Sequence, residues 1–297
     1  MADHLAKTES APPLWTWLFV VLFFVVLIVL IWKQLSDDWQ TNNSVVTARA
    51  QRSVLCEARW NAQAPWTSPD QNGVLAIGSS LFHAASGARA EFLSRLGPTV
   101  AWENCWINSG QWPNFAKLQP AAARLKPKLV LFHSDALIVS PWRQRVFAAF
   151  NSAVKDKLRG KKEQLEPDVY AQPFSCDGRS VQQPAHHYAQ LYRADPQVFT
   201  QARQWLLALK ATGVQIVIVE IPRSPVKEAQ MGEFLPQWRQ ALQQLAKDSG
   251  AQYWQLQAPQ AANAYCADQA HLDSVGRQQT VAQLSAFVLK TLAEESR

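Results

Sequence analysis

Two short stretches of this sequence carry the residue types that serine acyl transfer requires. The first, Gly78–Leu81, ends an apolar β-branched run and precedes an apolar helical pattern, so it predicts a strand, a tight turn and a helix. The second, Asp268–Gly276, places a carboxylate three residues before a histidine and just ahead of a predicted helix. Acyl transfer by serine needs a base, a carboxylate that orients the base, and N–H donors for the oxyanion. The sequence therefore predicts an acyl-transfer site built from both stretches.

Each stretch also has a simpler structural interpretation. A serine on the first turn is then an ordinary helix N-cap, and Asp273 caps the last helix next to a loop that happens to contain Asp268 and His271. A serine at a helix N-terminus is also where N–H groups and the helix dipole favour the negative charge of an acyl-transfer intermediate. The simpler interpretation must explain the two stretches independently, which favours the joint site.

The predicted elements alternate between strands and helices. This alternation predicts a three-layer α/β/α (flavodoxin-like) fold with a parallel sheet of about five strands, in which ligands bind outside the carboxyl ends of the strands. The predicted strands cover residues 73–78, 100–108, 128–133, 213–221 and 251–256. The predicted helices cover a segment from 81 to 96 and then residues 115–125, 142–158, 196–212, 231–249 and 273–294. Both candidate stretches follow strands, so we expect them at the same edge of the sheet.

The N-terminal part predicts a membrane anchor. Residues 14–32 are 19 consecutive uncharged residues with tryptophans at both ends, long enough as a helix to span a ~30 Å hydrocarbon core. The run is too long for the core of a cleavable signal peptide, and no small-residue cleavage site follows it. We therefore expect a polar tail at 1–13, an uncleaved anchor at 14–32, a membrane-proximal helix and linker at 33–72, and a catalytic domain at 73–297 with an insertion around 159–195. The basic residues that follow the span do not favour an external catalytic domain.

Composition narrows the possible functions. The net charge is +6, but the sequence has no dense basic stripe with interleaved aromatic residues, which argues against nucleic-acid binding. Thirteen tryptophans suit a core, a membrane interface or a sugar-stacking surface, and Trp102, Trp106 and Trp112 lie near the second predicted strand. His186 and His187 have no third ligand at a recognisable spacing, so we predict no metal site and no cofactor.

The four cysteines indicate whether the chain forms disulfides, as exported domains often do. They are widely spaced and form no Cys-x-x-Cys pair, which gives little support to a zinc or thioredoxin-type site. An even number in an exported domain permits two disulfides, and the alternative is four buried thiols. We expect at least one disulfide.

A family resemblance adds roles to these residues. Gly78–Leu81 resembles the Gly-Asp-Ser-Leu block of the SGNH/GDSL hydrolase superfamily, and Asp268-x-x-His271 is similar to its closing block. The resemblance implies that Ser80 is the nucleophile, His271 the base and Asp268 its orienting partner. It also implies an oxyanion hole, with Ser80, Gly110 and Asn108 as its members. For substrate binding, the sequence offers Trp112 and Arg223.

Two departures from the family pattern qualify the resemblance. Ser79 stands where the family carries an acid, and His133-Ser134-Asp135 stands where the family carries an oxyanion asparagine before aspartate. Loss of one oxyanion donor typically costs 10²–10³ in rate. The sequence is therefore compatible with a specialised enzyme or with a catalytically silent relative.

These features together resemble the envelope branch of the superfamily, which acts in O-acetylation of alginate and cellulose and in D-alanyl transfer to teichoic acids. The resemblance implies a single-pass protein of the inner membrane whose catalytic domain faces the periplasm. It implies as partners a membrane-bound O-acyltransferase, the polysaccharide synthesis or export machinery, and a polysaccharide substrate. Three functions remain open: an anchored acyltransferase or esterase for a polysaccharide, an anchored esterase, lipase or thioesterase for small esters, and a silent polymer-binding or scaffold protein.

Overall fold

The fold is taken from a computed structural model of the chain. It describes residues 13–42, 44–68, 71–107, 110–139, 193–261, 263–266 and 268–295, without the side chains of 31–51, 139, 193 and 295. Several predicted features lie outside the described residues: the helix at 142–158, nearly all of the insertion with His186 and His187, and Asn108.

The strands confirm the predicted parallel sheet. In chain order they are β1 (Asn72–Gly78), β2 (Val100–Trp106), β3 (Leu129–His133), β4 (Ile138–Val139), β5 (Arg193–Ala194), β6 (Gln215–Glu220) and β7 (Gln252–Gln255). Five of them form one sheet in the order β2-β1-β3-β6-β7, and all of its neighbours are parallel. β4 and β5 form a separate antiparallel pair. Gly78 pairs with Trp106, and His133 pairs with Val219, so the ends of β1, β2, β3 and β6 lie side by side at the carboxyl edge.

The helices match the prediction less closely than the strands. They are α1 (Leu14–Asn42), α2 (Ser44–Ala62), α3 (Ser80–Ser86), α4 (Arg89–Leu96), α5 (Trp112–Ala116), α6 (Gln119–Leu125), α7 (Pro196–Lys210), α8 (Pro225–Met231), α9 (Phe234–Ser249) and α10 (Ser274–Glu295). The single helix predicted from 81 to 96 is two helices, because the chain turns at Gly87 with φ +72°. The helix predicted at 115–125 is also two, and each begins with a proline in its first turn. α8 is a short helix that the sequence did not predict.

The core fills both faces of the sheet, as expected for parallel strands. Alternate residues of β1 point to opposite faces: Leu75 and Ile77 join one cluster, and Val74 and Ala76 join the other. The first cluster also contains residues of α2, α5, α6, α7 and α9, and the second contains residues of α3, α4 and α10. This arrangement is the predicted three-layer α/β/α architecture.

From Ala48 onward, helix α2 belongs to the same compact unit as the sheet. A disulfide joins Cys56 of α2 to Cys105 of β2, and the side chain of Trp60 is fully buried in the first core cluster. Cys266 is disulfide-bonded as well. The expectation of at least one disulfide is therefore confirmed. The helix predicted within 33–72 is present as α2, and its Cys56 and Trp60 pack in the core of the sheet domain.

The other compact unit, Met1–Thr47, contains α1. Its helix extends the predicted apolar segment to Asn42, and its described apolar side chains, such as Phe19, Phe23 and Ile28, are exposed. Within the part of the chain that the structure describes, no helix has the combined length and apolarity needed to cross a membrane.

Candidate active site

The site begins where β1 ends at Gly78. A Cβ added to Gly78 would lie 2.7 Å from Cβ of His133 and 2.8 Å from Cδ1 of Phe82, well inside van der Waals contact. Only glycine therefore lets the end of β1 approach both β3 and α3 this closely. Ser79 follows as the N-cap of α3, and Ser80 is the first residue of that helix.

The two serines of this turn have different surroundings. Ser79 is only 6% exposed, and its Oγ accepts a hydrogen bond from Leu81 N–H at 3.3 Å. Ser80 is half-buried, and its Oγ lies 2.9 Å from Nε2 of His271. Of the two hydroxyls, Ser80 therefore has both the access and the base that a nucleophile needs.

The histidine is oriented by the carboxylate three residues before it. Oδ2 of Asp268 lies 2.5 Å from Nδ1 of His271, and Oδ1 accepts the N–H groups of Ala270 and His271, each at 3.0 Å. The turn requires Gln269 to adopt φ +60°. Asp268 thus closes its own loop and fixes the imidazole with the same side chain.

Neighbouring segments hold this loop in place. Cys266 N–H donates to the carbonyl of His271 at 2.8 Å, and Ser224 N–H donates to the carbonyl of Gln269 at 3.1 Å. Asp273 then caps α10 by accepting the N–H groups of Val275 and Gly276. The cap predicted for Asp273 and the orienting carboxylate therefore occur together in one loop.

The electrostatics suit a carboxylate that stays ionised. Burial on its own raises the pKa of Asp268. The hydrogen bonds from the His271 ring and from the two backbone N–H groups, together with the charge of His271, hold that pKa well below its usual range. An ionised Asp268 accepts the Nδ1 proton of His271, which leaves Nε2 as a base for the proton of Ser80. The arrangement is chemically that of a serine nucleophile with a histidine base and an orienting aspartate.

The described N–H groups give a partial picture of the oxyanion hole. Ser80 N–H lies in the first turn of α3 and has no acceptor among the described residues, so it is available to an oxyanion. Gly110 N–H instead donates to the carbonyl of Ile107 at 2.8 Å. A Cβ on Gly110 would lie 2.7 Å from the ring of Phe115, so the close approach of the chain itself requires this glycine. The N–H of Gly110, predicted as an oxyanion donor, therefore already has a partner.

Trp112 is not a stacking surface, contrary to the sequence prediction. It is 3% exposed, its ring packs against Phe132 and Trp205, and its Nε1 donates to Gln201 at 2.8 Å. Trp102 and Trp106 are buried as well. The predicted sugar platform is wrong for these tryptophans, because their faces are enclosed in the core.

Arg223 is also placed differently from the prediction. Its side chain is 5% exposed and forms an ion pair with Asp135, which follows β3. Because the guanidinium is buried and paired with Asp135, it is poorly placed to bind a substrate directly. The ion pair holds the pKa of Asp135 below its usual value, against the effect of burial.

The sequence prediction missed one residue at this edge, His133. Its Nδ1 lies 3.1 Å from Oγ of Ser79 and its ring is fully buried behind the nucleophile turn. The available signal was the departure at His133-Ser134-Asp135, where this sequence carries a histidine two residues before the aspartate. Among the described residues, no group of three or more His, Cys, Asp or Glu is arranged to hold a metal ion.

The known proteins that resemble this chain are only distantly similar to it. No family model and no curated protein matches the chain. Similar solved structures include that of TesA, at 14% identity over 72% of this chain and 96% of that chain, with a TM-score of 0.42. An acetyl xylan esterase AlAXEase matches at 11% identity over 73% of this chain and 99% of that one, with a TM-score of 0.43. The esterase EstA from Pseudoalteromonas sp. matches at 13% identity over 75% and 100%, with a TM-score of 0.43. Similarities this weak assign neither an activity nor a substrate to this chain.

Proposed function

We propose that this protein is a serine esterase or acyltransferase of the SGNH/GDSL type, with Ser80 as nucleophile, His271 as base and Asp268 as its orienting carboxylate. One observation carries the proposal: Ser80 Oγ, the two nitrogens of His271 and Asp268 Oδ2 form a continuous chain of contacts of 2.9 and 2.5 Å. Ser80 and His271 are 191 positions apart in the sequence. Such a chain is what acyl transfer by serine requires.

The reaction follows from these positions. Ser80 Oγ attacks the carbonyl carbon of an ester while His271 Nε2 takes the hydroxyl proton, and Ser80 N–H stabilises the oxyanion. Collapse of the tetrahedral intermediate breaks the ester bond, and the leaving alcohol takes the proton from His271. The acyl group is then on Ser80. His271 next removes a proton from a second hydroxyl, which attacks the acyl-enzyme and restores free Ser80.

The second hydroxyl decides between hydrolysis and transfer. Water gives an esterase, whereas a sugar hydroxyl that outcompetes water gives an O-acyltransferase. We place the protein in the inner membrane, with its catalytic unit in the periplasm and a membrane-bound O-acyltransferase as acyl donor to an exported polysaccharide. The uncharged run at 14–32, the exposed apolar side chains of α1 and the disulfides, which persist in oxidising compartments, support this placement.

Hydrolysis of p-nitrophenyl acetate by the full-length chain in detergent tests the enzyme proposal. We expect measurable turnover for the wild type and a decrease in kcat of roughly 10³-fold or more for Ser80→Ala, because the nucleophile is lost. Ser94→Ala is the matched control, since Ser94 is an exposed serine of α4 that bonds only locally to Glu91. Equal rates for the wild type and Ser80→Ala would leave a silent, polymer-binding protein as the function.

Acceptor choice requires a separate measurement. With an acetyl ester as donor, mass spectrometry of added neutral oligosaccharides is expected to show products heavier by one acetyl group. Release of acetate alone, at every oligosaccharide concentration, would identify a small-ester esterase instead.

A further inference from the structure

A second serine, histidine and aspartate lie directly behind the candidate nucleophile. Ser79 Oγ is 3.1 Å from Nδ1 of His133, and the backbone N–H of Ser79 also points to this nitrogen at 3.4 Å. On the other side of the ring, Nε2 of His133 lies 3.8 Å from Oδ1 of Asp135, whose other oxygen is bonded to Arg223. The set therefore runs from Arg223 through Asp135 and His133 to Ser79.

The direction of these contacts fixes the state of the imidazole. The N–H of Ser79 can only donate, so Nδ1 of His133 must be an acceptor and the ring proton must be on Nε2, facing Asp135. Burial lowers the pKa of His133 to about 4. The charge of Asp135 opposes this shift, and the charges of Arg223 and His271 add to it. His133 is thus neutral at neutral pH, with one defined tautomer.

Ser79 connects His133 to the first turn of α3. Its Oγ receives the N–H of Leu81, and its carbonyl receives the N–H of His83, so both sides of the first turn of α3 are tied to it. Its hydroxyl proton is then free to be donated to His133. The residue between these ties is Ser80, which carries both the nucleophilic Oγ and the available N–H.

We propose that His133 is a positioning residue for the reaction at Ser80: as a buried, neutral acceptor whose Nε2 faces Asp135, it fixes Ser79 and so aims the hydroxyl and the N–H of Ser80. The proposal rests on the proposed function and deepens it. Ser79 itself is enclosed, and its hydroxyl is used in support, so the second set orients the first and does not form an acyl-enzyme. A misplacement of about 1 Å at a nucleophile costs on the order of 10²-fold in rate.

Two substitutions of one residue test this role in the full-length chain. His133→Leu fills similar space without an acceptor, whereas His133→Asn keeps a side-chain acceptor near the position of Nδ1. With p-nitrophenyl acetate, and with rates normalised to active sites titrated by a fluorophosphonate, we expect His133→Leu to lower kcat roughly 10- to 100-fold with little change in KM. We expect His133→Asn to recover most of the loss. Wild-type kcat in His133→Leu, or equal losses in both variants, would overturn the positioning role.

A double variant and a spectroscopic measurement complete the test. Because Ser79→Ala and His133→Leu both remove the Ser79–His133 contact, the double variant is expected to lose less rate than the product of the two single losses, and the loss of the Leu81 cap is the part that Ser79→Ala adds. In ¹⁵N-histidine NMR spectra near pH 7, His133 is expected to show an unprotonated Nδ1 and a protonated Nε2, with a change in the Nδ1 signal in Ser79→Ala. A protonated Nδ1 contradicts the inference whatever the activity. A wild type that neither hydrolyses ester nor reacts with the fluorophosphonate overturns the proposed function, and the NMR result still decides whether the Ser79–His133 contact exists.

Discussion

Two adjacent serines in this protein face two different histidines. Ser80 contacts His271, whose side chain is 20% exposed, and Ser79 contacts His133, which is fully buried. A substrate must reach the nucleophile, so exposure assigns the reaction to Ser80 and the support to Ser79. The sequence alone preferred Ser80 by family resemblance, and the structure supplies a physical reason for that preference.

Substitution of the orienting carboxylate tests which nitrogen of the His271 ring carries the proton. In Asp268→Asn, the side-chain amide can donate to Nδ1 and favour the tautomer with the proton on Nε2, where no base remains for Ser80. We expect kcat for p-nitrophenyl acetate to decrease by roughly 10³- to 10⁴-fold, with a small change in KM.

The matched control is Asp273→Asn, a second aspartate of the same loop. Asparagine also caps helices well, so α10 should keep its N-terminus and the enzyme should keep its activity. Comparable losses in Asp268→Asn and Asp273→Asn would show that the loop as a whole, and not the Asp268–His271 contact, determines the rate.

The buried His133 also predicts how stability depends on pH. Its pKa is about 4 in the folded protein, against 6.5 for an unperturbed histidine, so between these values the unfolded chain binds a proton that the folded chain does not. Stability is therefore full above about pH 6.5 and falls as the pH falls towards 4, by about 3 kcal/mol in total. Urea titrations of the wild type at pH 7 and pH 4.5 should show this decrease.

The same titrations of His133→Asn isolate the contribution of this ring. The variant lacks the titrating group and should lose less stability between the two pH values than the wild type does. Among the residues that the structure describes, the charged or titratable groups that act on His133 are Asp135, Arg223 and His271, and the lowered pKa of Asp135 places its own titration below this window. Equal losses in both proteins would contradict a neutral, buried His133.

At the scale of elements, the sheet was predictable and the helix boundaries were not. Apolar runs that end in glycine or polar residues identified β1, β3 and β6, because burial on both faces leaves a strong pattern. β2 and β7 were also predicted, although β2 contains Glu103 and Asn104 and β7 is only partly buried. The break at Gly87 was hidden, since apolar residues continue at helical spacing on both sides of it. The short helix α8 was obscured by Pro222 and Pro225, although a proline is well tolerated in the first turn of a helix.

The sequence predicted the residues of the site better than their exposure. Ser80, Asp268 and His271 lie on loops that must meet at the carboxyl edge, so topology alone brings them together. Trp112 and Arg223 lie near the same edge in sequence, but their burial depends on Trp205 and Asp135, which come from distant parts of the chain. Long-range partners of this kind leave no local pattern.

The disulfide of helix α2 predicts a measurable contribution to stability. It joins cysteines 49 positions apart, and closing a loop of this length stabilises a fold by about 4 kcal/mol in the chain-entropy account, with typical measured values of about 2–4 kcal/mol. The variant with both Cys56→Ala and Cys105→Ala is expected to unfold at a clearly lower urea concentration than the wild type.

The variant is preferable to a reductant for this measurement, because Cys266 is also disulfide-bonded and would be reduced at the same time. Addition of dithiothreitol to the double variant then reports the second disulfide separately. An unchanged urea midpoint in the double variant would show that packing of Trp60 and its neighbours is enough to hold α2.

At the scale of the whole molecule, the proposed anchor predicts membrane association. The seventeen residues of α1 from Leu14 to Leu30 carry no charge, and most of their apolar side chains are exposed. Contact of this apolar surface with water is unfavourable, whereas contact with lipid is not. Carbonate extraction of membranes should leave the full-length protein in the pellet, and replacement of Val25 and Val26 by aspartate should move it to the supernatant. Complete release of the wild type would contradict the anchor, while the proposed chemistry at Ser80 would stand.

The most direct test of the account is the position of a covalent adduct. Full-length protein is treated with a fluorophosphonate, digested and analysed by mass spectrometry, with Ser80→Ala and Ser94→Ala treated in parallel. If Ser80 is the nucleophile, one adduct is expected on Ser80 in the wild type and in Ser94→Ala, and none in Ser80→Ala. An adduct on Ser79, or a folded wild type that is not labelled at all, would contradict the assignment of Ser80 as the nucleophile.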